Sequence, residues 1–174
     1  MTFKEYCNQA MDTAIYPNKG SNLVYPVLGL AEEIGELIEL KCKILKHEEV
    51  DENRIKKEFG DIFWYIQAII FEAGLDSEEV YEESQKEDSS RKVSYLDIFK
   101  LCGIAKKIMR DHEGVVGIEW REKIFDFVLR VLKFNMEHLK YDHGFDFEEI
   151  LQLNIDKLQK RKQDGTLKGS GDDR

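Results

Sequence analysis

The chain reads as an all-α protein. Three features predict this. Apolar residues recur at three- and four-residue spacing along most of its length. Only two prolines occur, Pro17 and Pro26, both ahead of the first long helical pattern. No stretch alternates apolar and polar residues in the manner of a half-buried strand. With 174 residues and 42% hydrophobic content, one domain with a proper core is expected. The 35% charged content suits long amphipathic helices.

The first element spans about 2–15, with Phe3, Tyr6, Cys7, Ala10, Met11 and Ala14 on one stripe. A loop follows from Tyr16 to Tyr25, carrying Pro17, Gly20 and Asn22. Two long helices are expected at about 26–46 and 51–73. Leu30, Ile34, Leu37 and Ile38 keep helical period on the first, and Ile55, Phe59, Ile62, Phe63 and Ile66 on the second. Asp51 is placed to cap the second helix and Gly74 to stop it. The short connection between them makes the pair antiparallel.

Asp76 or Ser77 opens a short helix to about 86. The polar run at 84–93 reads as a connector. Ser94 caps a helix to about 112, with Ile98, Leu101, Cys102, Ala105 and Ile108 apolar, and Gly114 and Gly117 interrupt the pattern. Further helices are expected at about 118–141 and 146–163. The domain thus covers 1–165, a helical bundle built around the two antiparallel helices, and 166–174 is a disordered tail.

Those two helices are acidic in a particular way. Glu33 and Glu36 stand three apart on the first, Glu58 and Asp61 three apart on the second, and Glu32 lies one turn before Glu36. Residues three and four apart share a helix face. The carboxylates flank the apolar stripes, toward the seam where the helices pack. So many negative charges gathered there repel unless a cation joins them, and Mg²⁺ prefers oxygen ligands. Pairs such as Glu48/Asp51 and Glu79/Glu82 have the same spacing without a matching partner helix, and carry no functional assignment.

The string from Leu28 to Glu36, followed by Glu58-Phe59-Gly60-Asp61-Ile62-Phe63-Trp64-Tyr65, resembles the EExxE…ExxD signature of the all-α NTP pyrophosphohydrolases. That superfamily includes MazG-type enzymes, dimeric dUTPases and dCTP pyrophosphatases. The segment Asn154-Ile155-Asp156-Lys157-Leu158-Gln159-Lys160-Arg161 is similar to its N-x-x-K-L-x-x-R element. The resemblance covers most of 16–76 and 142–165.

It implies hydrolysis of a nucleoside triphosphate, of dNTP or non-standard type, to the monophosphate and pyrophosphate. Glu33, Glu36, Glu58 and Asp61 would hold Mg²⁺, with Mn²⁺ as a substitute. Glu32 or Glu36 would accept the proton of the attacking water. Asn154, Lys157 and Arg161 would meet the substrate, with Lys19, beside Asn18 and Gly20, as a further contact. Trp64 and Tyr65 are open to two readings, base contact and core packing. A homodimer is expected, since small members of the superfamily associate through their helices. A rival from another class is a catalytically silent, metal-stabilised helical protein that binds nucleotide or a partner.

The second half echoes the first. Gly29-Leu30-Ala31-Glu32-Glu33-Ile34 aligns with Gly103-Ile104-Ala105-Lys106-Lys107-Ile108, placing Arg110 opposite Glu36. Gly74-Leu75-Asp76 aligns with Gly144-Phe145-Asp146. A degenerate internal duplication with insertions would account for both, with acidic residues in the first copy replaced by basic ones in the second; the alternative is that similar amphipathic helices and Gly-Φ-Asp caps arose independently.

A formal charge of −9 argues against binding a nucleic-acid polymer. No secretory leader or membrane span is evident, which points to a cytoplasmic protein. Cys7, Cys42 and Cys102 are scattered and are expected as buried free thiols. The four histidines are dispersed and form no zinc motif.

Overall fold

The computed structural model describes residues 1–86 and 95–167. Seven helices make up the described chain: α1 (Phe3–Asp12), α2 (Val24–Leu45), α3 (Glu52–Ala73), α4 (Ser77–Ser84), α5 (Leu96–His112), α6 (Ile118–His143) and α7 (Phe147–Gln163). No strand occurs among the described residues. Most of the connector expected at 84–93, the Ser94 cap and the end of the tail from residue 168 lie outside the described residues. No helix is long and apolar enough to cross a membrane among the described residues.

Local chemistry sets the helix ends. Thr2 and Glu5 form a reciprocal capping box at the start of α1. Pro26 falls in the first turn of α2, where its missing N–H has no intrahelical partner to lose. The Asp51 side chain accepts from the backbone N–H of Asn53 and opens α3.

Helix α3 ends at Gly74, which adopts the left-handed conformation at φ 62°. The N–H of Leu75 then returns to the Ile70 carbonyl. The same device closes α6 at Gly144, with the Phe145 N–H bonded to the Leu139 carbonyl. In both places an aspartate follows and caps the next helix: Asp76 for α4 and Asp146 for α7. The Gly-Φ-Asp echo in the sequence is therefore a repeated structural joint.

Helix α3 is the axis of the fold. It packs against α1, α2, α4, α6 and α7, and more than half of its residues are buried. The arrangement pairs α2 with α5 and α3 with α6, while α7 lies on α3 and α4 lies on α6. The last helix of each half thus covers the central helix of the other. Phe59, Ile62, Phe63 and Ile66 supply the inner face of α3, joined by Leu30, Ile34 and Leu37 from α2 and by Ile124, Val128 and Leu132 from α6. Tyr6, Phe59 and Phe63 are among the largest fully buried side chains. Burying such rings stabilises the fold by about 1.5–3 kcal/mol each.

The α2–α3 contact is unusually close at one place. A Cβ on Gly29 would lie 2.2 Å from ring atoms of Tyr65, so only glycine admits that ring. The three thiols are free, but they do not share one environment. Cys7 is buried, Cys102 is half-buried, and Cys42 is exposed. Cys42 falls on the same line of α2 as Leu28 and Gly35, seven residues apart, and that line faces away from the core.

Candidate metal and phosphate site

The antiparallel packing of α2 and α3 brings Glu33, Glu36 and Glu58 together. One carboxylate oxygen from each can be chosen so that all lie within 4.8 Å of one another. Glu58 is buried at 2% exposure, while Glu33 and Glu36 are half-buried. Asp61, one turn beyond Glu58, borders the group but is held by α7. It accepts from Asn154 Nδ2 at 2.8 Å and from Lys157 Nζ at 2.5 Å. Glu32 is exposed on α2, outside the three-carboxylate group.

The electrostatics of the cluster are severe. Burial raises the Glu33 carboxyl to about 9, and the carboxylates of Asp61, Glu58 and Glu36 add to the rise against a partial offset from Lys157. A metal-free cluster therefore keeps a proton at neutral pH. An all-oxygen donor set with this charge fits a hard divalent cation, which would replace that proton and quench the repulsion.

Sequence reasoning missed the cation already present. Arg54 lies one turn before Glu58 on α3. Its Nε stands 3.4 Å from Glu58 Oε1 and its Nη2 stands 3.9 Å from Glu36 Oε2. The signal was available, since positions 54, 58 and 61 share one helix face. Tyr6 was also missed. Its buried hydroxyl donates to Asn154 Oδ1 at 3.0 Å, so α1 fixes the amide that holds Asp61. No local pattern links residues 148 positions apart.

Asn154 is buried between Tyr6 and Asp61, and Lys157 meets the acidic face. Arg161 follows Lys157 by one turn and is half-buried. Lys19 does not join them. It donates to the Met11 carbonyl at 2.5 Å and lies over the Phe71 ring, about 20 Å along α3 from Glu58. Trp64 is tied to the first helix, donating to the Ala10 carbonyl and to Thr13 Oγ1. Tyr65 lies nearer the carboxylates. Burial pushes its hydroxyl well up, with contributions from Tyr25, Glu33, Asp61 and Glu32.

The loop before α2 is organised by another carboxylate. Buried Glu72 accepts from the Tyr16 hydroxyl at 2.7 Å and from the backbone N–H groups of Gly20 and Asn22 at 2.8 and 2.7 Å. This fixes the entry of α2 and, through it, the position of Glu33 and Glu36.

No family model matches the chain, and no solved structure matches it. The chain is similar to the Gene 37 protein of Mycobacterium phage L5, with 39% identity over 67 residues. The match covers 33% of this chain and 59% of the phage protein, so the chain spans less than two thirds of that relative's length.

Proposed function

We propose that the protein is a Mg²⁺-dependent nucleoside triphosphate pyrophosphohydrolase of the MazG-like type, with Mn²⁺ able to substitute. The observation that carries this reading is the convergence of Glu33, Glu36 and Glu58 beside an Asp61 that α7 holds through Asn154 and Lys157. A metal-only role would need the carboxylates. The adjoining lysine gives the same site a means of meeting phosphate.

In this reading Glu33, Glu36 and Glu58 hold the metal and Asp61 completes the set. When bound, Mg²⁺ neutralises phosphate oxygens and makes a neighbouring water more acidic. Glu32, exposed on α2 and outside the three-carboxylate group, accepts the proton of the attacking water. The water oxygen bonds to the α-phosphorus, the anhydride bond to the β-phosphate breaks, and pyrophosphate leaves with the displaced electron pair. Lys157 and Arg161 take the growing charge on the phosphates. No nucleophilic side chain is required.

The substrate is a dNTP or a non-standard NTP, and the acting form is a homodimer in the cytoplasm. Glu58→Gln and Asp61→Asn preserve side-chain size and remove one ligand charge each. Either is expected to lower Mg²⁺-dependent pyrophosphate release by about 10²–10³-fold while far-UV circular dichroism stays unchanged. Full turnover in excess EDTA would refute the metal role. Mg²⁺ binding without turnover of any triphosphate would favour the silent, metal-stabilised alternative.

A further inference from the structure

One face of α3 carries Arg54, Glu58 and Asp61 in succession. A cation stands at each end of this row, and the two are held in opposite ways. Lys157 reaches Asp61 from α7 with its side chain only 16% exposed, and its Nζ lies 2.5 Å from Oδ2. Arg54 is 48% exposed and holds its partners loosely, with Nε 3.4 Å from Glu58 Oε1 and Nη2 3.9 Å from Glu36 Oε2. Bonds between charged nitrogen and oxygen ordinarily close to about 2.7–2.9 Å. Lys157 is therefore the fixed cation, and Arg54 the one that can be displaced.

Local helix chemistry does not explain Arg54. It is the third residue of α3, in the first turn, where the helix dipole disfavours a cation. As an i,i+4 pair with Glu58 it also runs in the weaker order, with the basic residue first. An ordinary surface pair joins two exposed side chains of one helix. Arg54 instead reaches a carboxylate whose side chain is 3% exposed and a second carboxylate on α2. Both belong to the three-carboxylate group.

We propose that Arg54 is a displaceable counter-ion of that group, and that once a metal holds Glu36 and Glu58 it turns outward to the phosphate chain of the substrate. A guanidinium keeps its proton in a protein, so it cannot escape the repulsion of a divalent cation by deprotonating. It escapes by moving, and its exposed position leaves solvent space for that. A triphosphate seated on the metal brings anionic oxygens to the same place, and the planar fork of arginine matches two of them at once. Arg54 and the Asp61 that Lys157 holds stand about 10 Å apart along α3, so the two cations meet the phosphates from opposite ends of the row. This role rests on the metal site of the preceding section and not on hydrolysis.

Calorimetry on the full chain tests it, with wild type, Arg54→Met and Arg54→Lys. Methionine keeps a long unbranched stem and good helix propensity without the charge, and circular dichroism checks that each variant folds. Mg²⁺ is titrated first into the nucleotide-free proteins. Arg54→Met is expected to bind it about tenfold more tightly than wild type, because the competing cation is gone, and Arg54→Lys to stay within about threefold of wild type. Inorganic tripolyphosphate is then titrated in saturating Mg²⁺. Wild type is expected to bind it, Arg54→Met to lose at least about tenfold in affinity, and Arg54→Lys to recover part of the loss.

The opposite signs of the two shifts in Arg54→Met are the signature. A purely structural ion pair would weaken both affinities on removal, and a spectator would change neither; either result overturns the role. Equal or weaker Mg²⁺ binding in Arg54→Met overturns the counter-ion. Unchanged tripolyphosphate affinity in Arg54→Met, or none in wild type, overturns the turn toward phosphate. Wild type without Mg²⁺ affinity overturns the metal site and the role of Arg54 together. Both expected shifts in a protein that turns over no triphosphate would uphold Arg54 and refute the hydrolase reading alone.

Discussion

Gly29→Ala tests how α2 and α3 are spaced at the depth of the carboxylates. The added Cβ would lie 2.2 Å from two ring atoms of Tyr65, against the roughly 3.5–4 Å at which carbon atoms rest. Relief requires a movement of more than an ångström, either of the ring or of the helices. Inserting one methyl into a tight core costs about 1–3 kcal/mol, and the upper end is expected because an aromatic ring has no flexible tip to bend aside.

The control is the same change in a Tyr65→Ala background. With the ring gone, alanine recovers the helix preference it has over glycine, about 1 kcal/mol in a helix interior. The sign of the Gly29→Ala effect should therefore reverse between the two backgrounds. Urea denaturation of the four proteins supplies the double-mutant cycle. A neutral or stabilising Gly29→Ala in the wild-type background would refute the contact and, with it, the helix spacing that brings Glu33 to Glu58.

Three further outcomes are expected. Glu72→Ala strands three donors that a buried carboxylate now satisfies, and should cost about 3–5 kcal/mol in urea denaturation; a loss under about 1 kcal/mol would remove its organising role. Burial, with a push from Lys41, holds His138 down to about 4 against an ordinary 6.5. The unfolded chain then binds more protons in that window, so stability present above pH 6.5 should fall by up to about 2–3 kcal/mol toward pH 4, and His138→Gln should flatten this slope relative to wild type. Because Glu33 is raised to about 9, it is protonated at pH 7.5 without metal. Mg²⁺ binding should release about one proton there, read from calorimetry in buffers of different ionisation enthalpy. No release would mean either that Glu33 is already ionised in the metal-free protein or that it is not a ligand.

What the sequence made legible was what local period and end chemistry control. Apolar spacing located all seven helices among the described residues, and Asp51, Gly74, Asp76 and Asp146 marked their ends through short-range bonds. The gathering of Glu33, Glu36 and Glu58 followed from two three-residue spacings and one short loop. Contacts between distant segments left no such trace. Tyr6 reaches Asn154 because α1 and α7 happen to flank α3, and nothing near residue 6 announces it.

Lys19 shows a complementary limit. Its place in a loop before the acidic helix suggested the site, yet the side chain is engaged by Met11 and Phe71 at the far end of α3. Cys42 lay within an apolar-looking segment but on its outward line. Residue type and proximity in sequence did not decide either direction; the packing of neighbouring helices did.

The most direct test of the proposed reaction is turnover in ¹⁸O-labelled water. The protein is incubated with Mg²⁺ and a panel of nucleoside triphosphates, and the products are separated and weighed by mass spectrometry. Attack at the α-phosphorus places one ¹⁸O in the nucleoside monophosphate and none in pyrophosphate, and this is the expected result for at least one substrate. Label in pyrophosphate, release of single phosphate with a diphosphate product, or no turnover across the panel would contradict it.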